Sequence, residues 1–136
     1  MHRYLRTAVV VLVALVLSAV ITEADPSLTR RDASGPVTVI VTLTAPPAVG
    51  APLTAKVVLD THSVGLDGIA FDQAVVMRAA DDREIAPRVE TITGGGHHRE
   101  AILVFPALAA AGPVRLVVKN VGGVAERTFV WDTAAR

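Results

Sequence analysis

An all-β sandwich is the fold this sequence predicts, and three observations carry it. From Val37 onward apolar residues recur at every second position. The alternating runs are short and separated by turns bearing Gly, Pro or Asp, and after residue 24 no stretch sustains the i, i+3, i+4, i+7 spacing of an amphipathic helix. Seven such runs in about a hundred residues match a seven-stranded immunoglobulin-like sandwich. The chain has no cysteine, so the Cys…Trp…Cys core of antibody domains is missing and the expected variant is fibronectin-like.

The N-terminus is different in kind. Residues 8–21 are Ala, Val, Leu and Ile with one Ser, preceded by Arg3 and Arg6 and free of acid until Glu23. A basic start followed by ~7–15 apolar residues marks a secretory signal, whereas a spanning helix needs ~20. Thr22 and Ala24 place small side chains at the −3 and −1 positions for cleavage before Asp25. Residues 1–24 are therefore expected to be a signal helix, with an uncleaved N-terminal membrane anchor as the alternative. The expected location is outside the cytoplasm, periplasmic or extracellular. Residues 25–36 are polar and charged and read as a flexible linker; residues 37–136 are expected to form the sandwich domain.

Within that domain Val37, Val39, Val41 and Leu43 alternate with Thr38, Ile40 and Thr42, and Pro46-Pro47 ends this first strand. Leu53, Ala55, Val57 and Leu59 define the second. A third covers residues 72–79, closed by an Asp81-Asp82 turn. The fourth, residues 84–92, contains Pro87, whose missing N–H argues for a sheet edge. Gly94-Gly95-Gly96 then precedes a fifth strand at residues 100–105, apolar on both faces and so expected to be central. Val114, Leu116 and Val118 mark the sixth. Phe129 and Trp131 mark the seventh, as core residues on one face.

Charge excludes some partners. Without residues 1–24, which hold Arg3, Arg6 and Glu23, the 13 basic and 13 acidic residues become 11 and 12. This balance gives no electrostatic reason to expect nucleic acid or an anionic membrane surface. Membrane contact is expected only through an uncleaved N-terminal segment; the expected partner is a protein or another component of the cell envelope. With no cysteine there is no lipid-bearing thiol, disulfide or thiolate metal site.

If the strands run antiparallel in succession, their connections alternate between two ends. One end receives residues 44–52, 80–83 and 106–113, mostly Pro and Ala with a few charges. The other receives residues 61–68, 93–99 and 120–123, and with them every histidine after residue 24. Loops on a rigid scaffold are where binding residues concentrate. His62, His97 and His98 can supply imidazole nitrogens, with Asp60 or Asp67 adding a carboxylate. Zinc and copper(II) both accept such a set. Copper(I) fits poorly, because Met77 is the one sulfur left after residue 24. Asp60 and His62 are two apart and share a strand face, whereas His97 and His98 point apart, so one of them is expected to face His62. The bland reading, and the stronger one, has these histidines bonded to backbone or to Asp67 to fix long loops.

Catalysis is not expected. Ser63 beside His62 with Asp67 nearby imitates a triad, but sequence neighbours rarely hold that geometry and no GxSxG elbow is present. Gly94-Gly95-Gly96 lacks the Lys-Ser/Thr and the helix of a phosphate loop and reads as a flexible hairpin connection. Gly122-Gly123 reads as a tight turn, with Glu126 and Arg127 expected to pair with Arg99 or Asp67 and brace that end.

Three segments, Leu59-Asp60-Thr61-His62-Ser63-Val64, Gly95-Gly96-His97-His98-Arg99 and Val121-Gly122-Gly123-Val124-Ala125-Glu126-Arg127, resemble those of a family of uncharacterised exported or membrane-anchored prokaryotic domains. The resemblance covers residues 55–132 and implies a β-sandwich outside the cytoplasm; it brings no activity or ligand. The expected function is a non-catalytic extracytoplasmic module for binding or envelope structure. The alternative is a zinc or copper(II) protein using the histidine loops.

Overall fold

In the computed structural model, which describes residues 25–133, the alternating runs become strands. They are Thr29–Asp32 (β1), Val37–Leu43 (β2), Leu53–Thr61 (β3), Val75–Arg78 (β4), Glu84–Ile85 (β5), Arg88–Gly95 (β6), His98–Phe105 (β7), Pro113–Val121 (β8) and Val124–Asp132 (β9). One helical turn, Phe71–Ala74 (α1), precedes β4. The expected signal segment, residues 1–24, lies outside the described residues. Among the described residues no helix is long and apolar enough to cross a membrane.

Two antiparallel sheets result, one ordered β1-β2-β3-β7-β6 and the other β5-β4-β8-β9. Their inner faces share one core. Val39, Val41, Leu59, Leu103 and Phe105 come from the first sheet, and Leu116, Val118, Phe129 and Trp131 from the second, each at most 4% exposed. Full burial of such side chains stabilises by roughly 1.5–3 kcal/mol each, so the alternation itself selects which face turns inward. Among the described residues every buried side-chain nitrogen or oxygen has a hydrogen-bond partner.

Four departures from the sequence reading have physical causes. Part of the stretch expected to be a linker forms β1, paired with β2 from Thr29↔Thr42 to Asp32↔Val39. The Trp131 indole N–H donates to the Leu28 carbonyl, and the Arg30 guanidinium lies 5.3 Å from the centre of the Trp131 ring. Second, the strand expected over residues 84–92 is two strands. At Ala86-Pro87 the chain leaves β5, at the edge of one sheet, and enters β6, at the edge of the other. The proline sits where no ladder bond is needed. Third, β4 starts only at Val75, because α1 intervenes and buries Phe71 at 1% exposure.

Fourth, the triple glycine is an ordered hairpin. Gly95 pairs with His98 across a two-residue Gly96-His97 turn. Gly94, at φ +81°, has no room for a side chain: a Cβ there would stand 2.3 Å from the His98 carbonyl oxygen. The β6 ladder carries an irregularity between Val89 and Thr91. Beyond it Ile92, cross-strand from buried Ala101, is 47% exposed.

Candidate functional site

The antiparallel order gathers the histidine-bearing loops at one end, as alternation of the connections requires. Gly122-Gly123 joins β8 to β9 with both residues at positive φ, +61° and +74°, the signature of a type I′ hairpin. The turn abuts the start of β2, for a Cβ on Gly122 would lie 2.7 Å from Val37 Cγ2. Val37 in turn pairs with Thr61 at the end of β3.

The tip of the β6–β7 hairpin is clasped by the loop that follows β3. The Thr61 N–H donates to the His97 carbonyl at 3.0 Å and the Leu66 N–H to the Gly96 carbonyl at 2.9 Å. The Asp67 carboxylate accepts from the Gly96 N–H at 2.9 Å. Arg99 Nη1 donates to the carbonyls of Leu66 (2.7 Å), Ile69 (2.9 Å) and Asp67 (3.3 Å). Its guanidinium also stands 5.2 Å from the centre of the Phe71 ring. Thr61 Oγ1 donates to the Pro36 carbonyl at 2.7 Å and accepts from the N–H groups of Ser63 and Val64. The loop is thus fastened to its neighbours by Thr61, Asp67 and Arg99, and Asp67 spends its carboxylate on the hairpin.

Of the four residues expected as metal ligands, two meet. Asp60 and His98 are direct cross-strand partners, with His98 Nδ1 3.4 Å from Asp60 Oδ1. His98 Nε2 lies 3.1 Å from Glu100 Oε1. Glu100 also pairs with Lys56 at 2.9 Å. The four side chains form a charged row on the outer face of the sheet. Glu100 first, then Asp60, raises the His98 pKa above that of an isolated imidazole. Lys56 first, then His98, holds the Glu100 carboxyl below the usual range. With both ring nitrogens facing carboxylates, the row is arranged for an imidazolium that donates on each side. His62 and His97 are exposed, and His97 occupies the hairpin turn. Among the described residues no group of three or more His, Asp or Glu is placed to hold a metal ion.

The expected pairing of Arg127 and Glu126 is corrected. Arg127 points inward with Phe129 and Trp131 and is 2% exposed. It donates to the carbonyls of Val121 (2.8 Å), Ser34 (2.7 Å) and Val37 (3.1 Å), and its Nε meets Asp32 at 3.3 Å. Glu126 instead pairs with Arg78 at 2.9 Å. The signal for Arg127 was in the sequence: alternation places it on the same face as Phe129 and Trp131.

Sequence reasoning passed over the opposite end, which holds a cavity of about 430 Å³. Met77, Ile85, Leu108 and Val114 line it, with Arg83 among the lining residues. Two long connections meet here: Val49 bridges Leu108, and the Gly50 N–H donates to the Leu108 carbonyl at 2.8 Å. The available signal was composition. Residues 45–52 and 106–113 are each eight residues without one polar side chain, unusual for connections at a surface. Comparison with protein-family models, curated proteins and solved structures finds no match to this chain.

Proposed function

We propose that the chain is an exported, non-catalytic module with immunoglobulin-like, fibronectin-like topology that binds a partner or supports an assembly of the cell envelope. The strand order carries this reading. The run β2-β3-β7-β6 corresponds to A-B-E-D of that fold and β4-β8-β9 to C-F-G, with β1 and β5 as additions at the sheet edges. Such sandwiches serve as rigid carriers of loops, and the bonding of residues 61–70 to the β6–β7 hairpin supports that use. Export is supported by the basic-flanked apolar run at residues 8–21. The test fuses the chain to a reporter that becomes active only outside the cytoplasm. Activity that disappears on deleting residues 2–24 is the expected result; equal activity without them overturns export.

A second reading, zinc or copper(II) binding, is favoured by one observation, the approach of His98 to Asp60. His62 and His97 would have to join from neighbouring loops. Equilibrium dialysis of the untagged protein decides it. Stoichiometric metal at micromolar concentration, lost in a His97→Ala/His98→Ala double variant, supports the reading, and no retained metal eliminates it.

A further inference from the structure

We infer that the apolar end of the sandwich binds a single-chain anionic amphiphile, in its simplest form a medium-chain carboxylate, with the hydrocarbon in the cavity and the head group at Arg83. The cavity, about 430 Å³, falls within the ~300–1,000 Å³ of small-molecule pockets, which are mostly apolar with a few placed polar groups. Met77, Leu108 and Val114 are buried in its wall, and Ile85 of the short edge strand β5 also lines it. The segment 106–113 that lines it carries no polar side chain, so along this wall a ligand body meets hydrocarbon and no competing hydrogen-bonding side chain.

Charge selects the head group. The charged residues lining the cavity are two arginines, Arg78 and Arg83, and no lining residue is acidic. Arg78 is already committed, to Glu84 at 3.1 Å and Glu126 at 2.9 Å. Arg83 is 71% exposed at the mouth, and its Nε lies 3.9 Å from Asp81, too far for a hydrogen bond. An anion there gains a cation whose present partner is weakly held, while a cationic head group finds no carboxylate among the lining residues. The inference rests on reading the fold as a binding scaffold and is independent of export, because its test uses purified protein.

The sequence supplies the probe. The chain has two methionines, Met1 and Met77, so the full chain labelled with methyl-¹³C methionine gives one reporter in the cavity wall and one in the N-terminal segment. Dodecanoate, added below its self-association threshold, is expected to shift the Met77 methyl signal saturably at one equivalent. Arg83→Gln should weaken dodecanoate roughly threefold to fivefold, the scale of an exposed ion pair, and leave dodecanol binding unchanged. Ala110→Trp, in the lining segment, should abolish the Met77 shift. Arg83 lies in an exposed turn, and an unchanged melting temperature verifies that Arg83→Gln is folded. A Met77 signal that stays fixed while Met1 moves places the amphiphile on the N-terminal segment and overturns the site. Equal dodecanoate affinity in Arg83→Gln overturns the anion.

Discussion

The buried Arg127 side chain meets the Asp32 carboxylate at 3.3 Å, yet most of its hydrogen bonds go to backbone carbonyls. The charge is held chiefly by the main chain of three segments: the end of β8, the β1–β2 turn and the start of β2. Truncating Arg127 removes a charged donor from each of those carbonyls, whereas neutralising Asp32 alters one contact at the rim. Arg127→Met is therefore expected to cost about 3–5 kcal/mol and Asp32→Asn about 1 kcal/mol or less. Urea denaturation of both variants measures the difference, and equal losses would refute this division of roles.

The two glycines of the β8–β9 turn separate conformational strain from crowding. Both have positive φ, but only at Gly122 does an added Cβ meet a neighbour, Val37 Cγ2 at 2.7 Å. Gly123→Ala should cost about 1–2 kcal/mol for the left-handed backbone alone, and Gly122→Ala a further 1–3 kcal/mol or so for overpacking. Thermal unfolding of the pair reads the gap. Losses of the same size would show that Val37 yields freely.

The His98 row predicts a pH window. Because folding raises the His98 pKa, its contribution to stability is complete below the ordinary imidazole value, about 6.5, and is lost as pH rises through the raised folded value. Glu100 titrates the other way: its lowered pKa gives stability present above about pH 4.3 and lost as pH falls through the folded value. The row is thus at its best between these limits. Proton NMR of the His98 ring should give a pKa above that of an isolated imidazole, falling in Glu100→Gln more than in Asp60→Asn. The reverse order would contradict the geometry.

Arg99 is expected to govern the stiffness of the loop after β3. Arg99→Leu keeps an apolar chain near Phe71 but removes the donors to the Leu66 and Ile69 carbonyls. Hydrogen exchange at the Leu66 and Gly96 amides should accelerate roughly tenfold, with little change in β8. Uniform acceleration across the domain would mean that Arg99 supports the whole fold.

The core strands were legible in the sequence because period-two burial acts locally: Val37, Val39 and Val41 face the core whatever lies across from them. The grouping of loops at two ends followed from antiparallel connection alone. Long-range relationships were not legible. Nothing local tells that Asp60 will face His98, since that register is set by the pairing of strands nearly forty residues apart. Alternation marked Arg127 as a core-facing position, but its charge suggested the periphery; three carbonyls and the Asp32 carboxylate, converging from distant segments, make its burial tolerable. The cavity escaped notice because alanine and proline advertise no chemistry. The splitting of one strand into β5 and β6 depends on which sheet each half joins, and Pro87 announces an edge without saying how many.

β6 forms one margin of its sheet, pairing with β7 alone. A long straight margin of this kind is a template on which another polypeptide can polymerise. The interruption between Val89 and Thr91, which leaves Glu90 out of the pairing and within 3.8 Å of Arg88, works against that template by breaking its spacing and adding charge. What looks like a flaw in the ladder acts as a spacer at this one margin: a second chain laid along β6 would lose register at Glu90.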